Sequence, residues 1–155
     1  MTAAFRRGRQ EVHVESTHTK KATLKLHELP AVLIIEDDPL QRKLYKLISN
    51  QVKMKPMIVD DCASAIAAAG EHDFALIIMD LQMPDSDGLL CAQSLRQLPR
   101  VSGNGTPIIA VTAHAMQGDR ERCLASGMDD YLSKPFTLLE LRTKIADWTG
   151  ARAGS

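Results

Sequence analysis

Three stretches of this chain, AVLII from Ala31, ALIIM from Ala75 and IIAV from Ile108, are apolar at every position. A strand with one wet face alternates apolar and polar residues, so uninterrupted runs of this length read as strands covered on both sides. From Ala31 onward they alternate with amphipathic stretches. This βαβα rhythm points to a doubly wound α/β fold around a parallel sheet. Five strands are predicted: Ala31–Glu36, Met54–Val59, Phe74–Asp80, Pro107–Thr112 and Met128–Lys134.

The helices between them carry start and stop signals. Asp38 can cap the first, with Pro39 at its opening position and Gln41 placed to close a capping box. Leu40, Leu44, Leu47 and Ile48 recur on one face and are expected to be buried. The second helix is an Ala-rich run from Cys62 to Ala69, ending at Gly70. The third covers Gly88 to Leu98 with Cys91, Leu95 and Leu98 on one stripe. The fourth runs from Ala113 to Ser126 and stops at Gly127, a residue suited to a left-handed cap. Thr137 and Glu140 form a second capping box, after which Leu141, Ile145 and Trp148 give the fifth helix its apolar face.

A length of 155 residues accommodates one domain with short extensions: an arm or linker over residues 1–29, a domain over 30–149 and a tail over 150–155. EVHV and TLKL in the arm alternate as strands would, but the polar segment between them offers no clear turn. Nineteen basic and nineteen acidic residues cancel, so nothing draws the whole chain to nucleic acid or an anionic membrane. The arm holds six of the basic residues and three of the acidic ones, a bias that reads as a solvated tail. No apolar run approaches the ~18 residues of a membrane span, and the start lacks the apolar core of a secretory signal. Cys62, Cys91 and Cys123 are odd in number and widely spaced, which suggests neither a disulfide framework nor a zinc site. A reducing cytoplasm is the expected location.

In an open parallel sheet, ligands gather beyond the carboxyl ends of the strands. There the first strand delivers Glu36, Asp37 and Asp38, the third Asp80, the fourth Thr112 and the fifth Lys134. Any one of these has a plain explanation, since Asp38 is a cap and Asp or Thr after a strand often only shapes a turn. The same edge of four strands supplying an acidic pair, a third carboxylate, a hydroxyl and a lysine is not explained that way. Carboxylates about 5 Å apart repel by about 3 kcal/mol per pair at an effective dielectric near 20, a cost that a hard divalent cation removes. An all-oxygen donor set suits Mg²⁺ or Mn²⁺, with Mg²⁺ sharing its coordination with substrate phosphate.

The blocks LIIEDD, IIMDLQMPDSDG, AVTAHA and YLSKPF, in this order and spacing, resemble the signature of response-regulator receiver domains of two-component systems. The resemblance spans Ala31 to Trp148. AVTAHAMQGDRERCLASGMDDYLSKPF is most similar to the receivers of hybrid histidine kinases and phosphorelays. It implies a flavodoxin-like receiver fold with five helices and sheet order 2-1-3-4-5. By position it implies Asp80 as phosphoacceptor, metal held by Glu36, Asp37, Asp80 and the backbone carbonyl of Gln82, and Thr112 and Lys134 on phosphoryl oxygens. It also implies a cis bond before Pro135, a Thr112–Tyr131 switch acting on the fourth helix, fifth strand and fifth helix, and rate tuning by Gln82 and His114. His114 read alone is equally a surface residue opening a helix.

The implied partner is a histidine kinase or histidine phosphotransfer protein, with a downstream protein target as a further one, and neither nucleic acid nor membrane. Catalysis would be limited to the chain's own phosphorylation and dephosphorylation, with no separate enzyme domain. No stretch after Trp148 is long enough for an output domain, so a self-contained transcription factor is not expected. A phosphorelay intermediate and a stand-alone binding switch both remain open. A flavodoxin-like cofactor carrier would need a phosphate-cradling loop where this chain has three acids. A haloacid-dehalogenase-type phosphatase would want a second acid where Gln82 stands.

Overall fold

A computed structural model describes residues 29–83, 87–113 and 118–150. Five parallel strands form one sheet in the order β2-β1-β3-β4-β5. They are β1 (Ala31–Ile35), β2 (Lys55–Val59), β3 (Leu76–Asp80), β4 (Ile108–Thr112) and β5 (Asp130–Ser133). The helices are α1 (Pro39–Ile48), α2 (Cys62–Glu71), α3 (Gly88–Gln97), α4 (Pro99–Asn104), α5 (Asp119–Ala125) and α6 (Leu138–Thr149). The predicted order is therefore observed. A sixth helix among the described residues, α4, was not predicted: Pro99 opens it and Gly105, at φ 62, closes it, so six residues of LPRVSGNG make one short helix.

The central strands sort their side chains between two cores, as a doubly covered sheet requires. Leu33, Ile35, Ile77, Met79, Ile108 and Ala110 lie on the face covered by α2, α3, α4 and α5. Val32, Ile34, Leu76, Ile78, Ile109 and Val111 lie on the face covered by α1 and α6. All twelve are essentially inaccessible to water.

Local signals worked where they act through the backbone. Asp38 accepts from the Leu40 amide and Thr137 from the Glu140 amide, while Gly127 at φ 90 follows α5. The Lys134–Pro135 bond is cis. Elsewhere tertiary packing overrode the expectation. The Asp38 amide donates to Glu36 Oε1 at 3.1 Å, not to Gln41, so the first capping box does not close as predicted. Of the predicted stripe Ile48 is buried, but Leu40, Leu44 and Leu47 are 77%, 43% and 69% exposed, because α1 turns Tyr45 to the sheet beside Ile48. Two stripes on that helix have the right period, and only contact with β1 and β3 chooses between them. Trp148 is also partly exposed, its indole N–H donating to the Asp130 carboxylate at 2.9 Å. Gly70 lies inside α2, not at its end.

The cysteine expectation is corrected as well. Cys62 and Cys91 form a disulfide between α2 and α3 with Cα atoms 5.9 Å apart, while Cys123 is a buried free thiol. The two are separated by 29 residues in sequence, and only the side-by-side packing of α2 and α3 brings them together.

Arg96 ties the opposite edge of this layer. Its guanidinium donates to the carbonyls of Thr106 and Gly127 and pairs with Asp129, whose carboxylate also accepts from the Ile108 amide. Arg96→Ala would take the guanidinium from two carbonyls and leave the Asp129 carboxylate with the Ile108 amide but no cation. We expect a loss of about 2–3 kcal/mol of unfolding free energy, measured by urea denaturation with an unchanged slope.

Candidate functional site

Beyond the carboxyl edge of the sheet, β1 ends at Glu36 and Asp37 and β3 at Asp80. Oxygens of these three carboxylates lie within 4.8 Å of one another. Glu36 is 1% exposed and Asp80 5% exposed, so water does little to screen their charges. Lys134, reached from β5, places Nζ 3.2 Å from Asp80 Oδ2 and 3.6 Å from Glu36 Oε2. Thr112 is buried at the end of β4, and its carbonyl accepts from the Lys134 amide at 2.8 Å, holding the lysine strand end in place.

The strand ends are locked by backbone bonds. The Glu36 amide donates to Val59 of β2 and the Leu81 amide to Val111 of β4. The Gln82 amide donates to Asp80 Oδ1 at 2.9 Å, fixing one carboxylate oxygen while the other faces Lys134. Gly88 opens α3 against this turn: a Cβ there would come within 2.8 Å of the Leu81 side chain. α3 therefore starts close against the turn after Asp80, and a larger residue at 88 would displace the Leu81 side chain.

Burial, offset in part by the Asp38 amide and reinforced by the Asp80 charge, pushes the Glu36 carboxyl up to about 7. Its Oε2 atom has no hydrogen-bond partner. A buried carboxylate oxygen left without a donor, aimed among two other carboxylates, fits a hard divalent cation, because such an ion supplies the missing charge and ligand at once. The donor set is all oxygen, which disfavours zinc-type thiolate or imidazole chemistry.

The expected residues Glu36, Asp37, Asp80 and Lys134 are thus assembled by the fold, with Thr112 at the same edge. Gln82 is exposed and bonded to Asp80 through its amide. Tyr131 sits half-buried on β5, packed against the core beneath α5. His114 lies outside the described residues.

Two residues escaped the sequence reading. Arg42, in the second turn of α1, donates from Nη1 to the carbonyls of both Glu36 and Asp37, at 3.1 and 2.6 Å. It pins the peptide planes from which the acidic pair projects. Tyr45 lies buried on the same helix, its phenol pushed up by burial and then by the charges of Glu36 and Asp80. Helical spacing offered a clue to Arg42, since a basic residue one turn into a helix can reach back past the cap; nothing singled out Tyr45 from an ordinary core aromatic.

A doubly wound sheet with a buried carboxylate cluster and a lysine at its carboxyl edge defines a class of α/β protein whose ionisable groups converge where a metal ion could be held. The match to the response regulator receiver domain family, over residues 32–146, is more specific: this chain belongs to that family. Among curated relatives, sensor histidine kinase GacS of Pseudomonas protegens is 37% identical over 122 residues, which is 78% of this chain and 13% of that protein. BarA of Escherichia coli is 40% identical over 104 residues, 67% of this chain and 11% of that kinase. The chain therefore spans only a small fraction of the length of these relatives. Among solved structures, the receiver domain of sensor histidine kinase PA1611 from Pseudomonas aeruginosa, with a magnesium ion in its active-site cleft, matches with a TM-score of 0.71 and 34% identity over 79% of this chain and 99% of that one. A chain from the co-crystal of the Saccharomyces cerevisiae phosphotransfer protein Ypd1 with the Ssk1 receiver matches at 0.70 and 29% identity, covering 81% and 94%. Among the described residues no helix is long and apolar enough to cross a membrane.

Proposed function

We propose that the chain is the phosphoacceptor of a phosphorelay, in which Asp80 takes a phosphoryl group from a phosphohistidine and passes it on. The observation that carries this reading is the junction of three carboxylates and Lys134 at one buried edge, with Glu36 Oε2 lacking a donor. Glu36, Asp37, Asp80 and the Gln82 carbonyl would hold Mg²⁺, or Mn²⁺ in its place, and the bound ion would supply positive charge against the carboxylates and the incoming phosphoryl oxygens.

The chain's own groups do the rest. An Asp80 carboxylate oxygen attacks phosphorus in line, the N–P bond breaks, and the donor imidazole departs with a proton on its nitrogen. Lys134 leaves its pairing with Asp80 for a phosphoryl oxygen, and the Thr112 hydroxyl donates to another. Such a loose transfer needs positioned charge more than covalent help. Catalysis of this kind is confined to the protein's own acyl phosphate. The magnesium in the PA1611 receiver and the pairing of the Ssk1 receiver with Ypd1 support the cofactor and the partner class, a histidine kinase or phosphotransfer protein. A histidine kinase draws its phosphoryl group from ATP, which supports a cytoplasmic location.

Labelling the protein with radioactive acetyl phosphate, then adding a histidine phosphotransfer domain, tests the reading. Loss of label from this chain to the histidine is expected. Label that stays in place would favour the other member of the class, a stand-alone switch that binds its target while phosphorylated.

Thr112 and Tyr131 end and line neighbouring strands, β4 and β5, and we assign them the switch. Movement of Thr112 toward the phosphoryl group would make room for Tyr131 to turn inward, changing the face formed by α5, β5 and α6. Tyr131→Ala is expected to leave the labelling rate unchanged while weakening phosphorylation-dependent partner binding about tenfold. Equal partner affinity in wild-type and variant acyl phosphates would refute the assignment. Gln82 and His114 are assigned to tuning the lifetime of the acyl phosphate.

A further inference from the structure

We propose that Cys62 and Cys91 form a redox modification site, a bridge opened and closed by exchange with a dithiol, which sets how firmly the start of α3 is held beside Asp80. The second half of this statement rests on the reading of Asp80 as acceptor; the first does not.

The two sulfurs differ in ways that suit reversible exchange. Cys62 is half-buried at the first position of α2, whereas Cys91 is buried in α3. The Cys62 side of the bridge is therefore the more open to a dithiol. Its thiolate attacks Cys62 Sγ, the S–S bond breaks, and Cys91 leaves as a thiolate that takes up a proton. The second thiol of the reductant then attacks the mixed disulfide, freeing Cys62 as a thiolate, which is protonated in turn. Two electrons pass from dithiol to bridge, and the reductant ends as its own disulfide.

The two helices also have core contacts that the bridge does not supply. Ala65 and Ala69 anchor α2, and Ala92 and Leu95 anchor α3, in the same core. Opening the bond thus frees the first turns of both helices without unfolding the layer. In a reducing cytoplasm disulfides of this kind are characteristically transient and redox-sensing.

The position of the bridge connects it to the acidic site. Cys62 follows Val59 by three residues, and the Val59 carbonyl holds the Glu36 amide at 2.9 Å. Cys91 lies in the helix whose first residue, Gly88, packs on Leu81, the neighbour of Asp80. The bond therefore clamps together the two segments that flank the carboxylates. With the clamp closed the site is preorganised, and phosphorylation is faster.

The test uses the full chain in oxidised and dithiothreitol-reduced forms. Alkylation after denaturation should block one cysteine, Cys123, in the oxidised protein and all three in the reduced one. Reduction should proceed under native conditions, with the circular dichroism spectrum retained and the melting temperature lowered by more than about 5 °C. Labelling by acetyl phosphate should be about threefold or more slower in the reduced form, and a Cys62→Ser/Cys91→Ser variant should be slow and indifferent to reductant. Three alkylated cysteines in the oxidised protein, or a bridge that dithiothreitol opens only in denaturant, would overturn the redox site. Equal labelling rates in the two forms would overturn the clamp. Absence of label from both forms would instead fault the acceptor reading, while the thiol count still judges the bridge.

Discussion

Asp80→Asn is expected to abolish incorporation of phosphoryl label from acetyl phosphate and to flatten the dependence of stability on pH. The amide is isosteric and its oxygen still accepts from the Gln82 amide, so the turn after β3 keeps its bond. It is no nucleophile toward phosphorus, however, and the acyl phosphate cannot form. The stability result follows from the same cluster. Glu36 is buried, and its carboxyl is raised from 4.5 to about 7 in part by the charge of Asp80. A folded-state value raised above the unfolded one means that the native protein binds the proton more tightly. Stability without added metal must then fall as pH climbs from about 4.5 through about 7. Removing the Asp80 charge lessens that decline, so the variant's stability should depend less steeply on pH over this interval. Thermal melts at several pH values, beside the labelling assay, check both halves. A variant that still takes up label would show that another residue is the acceptor.

Lys134→Met separates the role of the cation from that of the carboxylates. The lysine faces Asp80 at 3.2 Å and Glu36 at 3.6 Å and is itself largely shielded from water. Its loss removes the cationic side chain expected to follow the phosphoryl group, and the labelling rate should fall about 10²-fold or more. Mg²⁺ affinity should move the other way. An ammonium that already neutralises two carboxylates competes electrostatically with an added cation, so its removal leaves a more negative site and calorimetry should register tighter binding. A variant that labels within a few-fold of wild type would exclude Lys134 from the transfer. Weaker Mg²⁺ binding would mean that Lys134 organises the carboxylates instead of competing for them.

The fold was legible because burial on both faces leaves a mark that survives in one dimension. ALIIM and IIAV cannot be half-wet strands, and strands of that kind require helices above and below. The candidate site was legible for a related reason. β1, β3 and β4 are apolar until their last residues, so Glu36, Asp37, Asp80 and Thr112 stand out where each run ends, while Lys134 follows the more polar β5, and the parallel sheet puts those ends on one edge.

What sequence determined by itself was therefore the strand content, the chemistry of the carboxyl edge and the caps at Asp38, Thr137 and Gly127. All of these act through the backbone or within a few neighbouring residues. The tertiary structure alone decided which stripe of α1 meets the sheet, that the Asp38 amide turns to Glu36 and not to Gln41, that Arg42 reaches back to two carbonyls, and that Cys62 meets Cys91. Each depends on how far one element is rotated against another. Periodicity states which residues share a face, but only contact free energy, summed over both cores at once, settles where that face points.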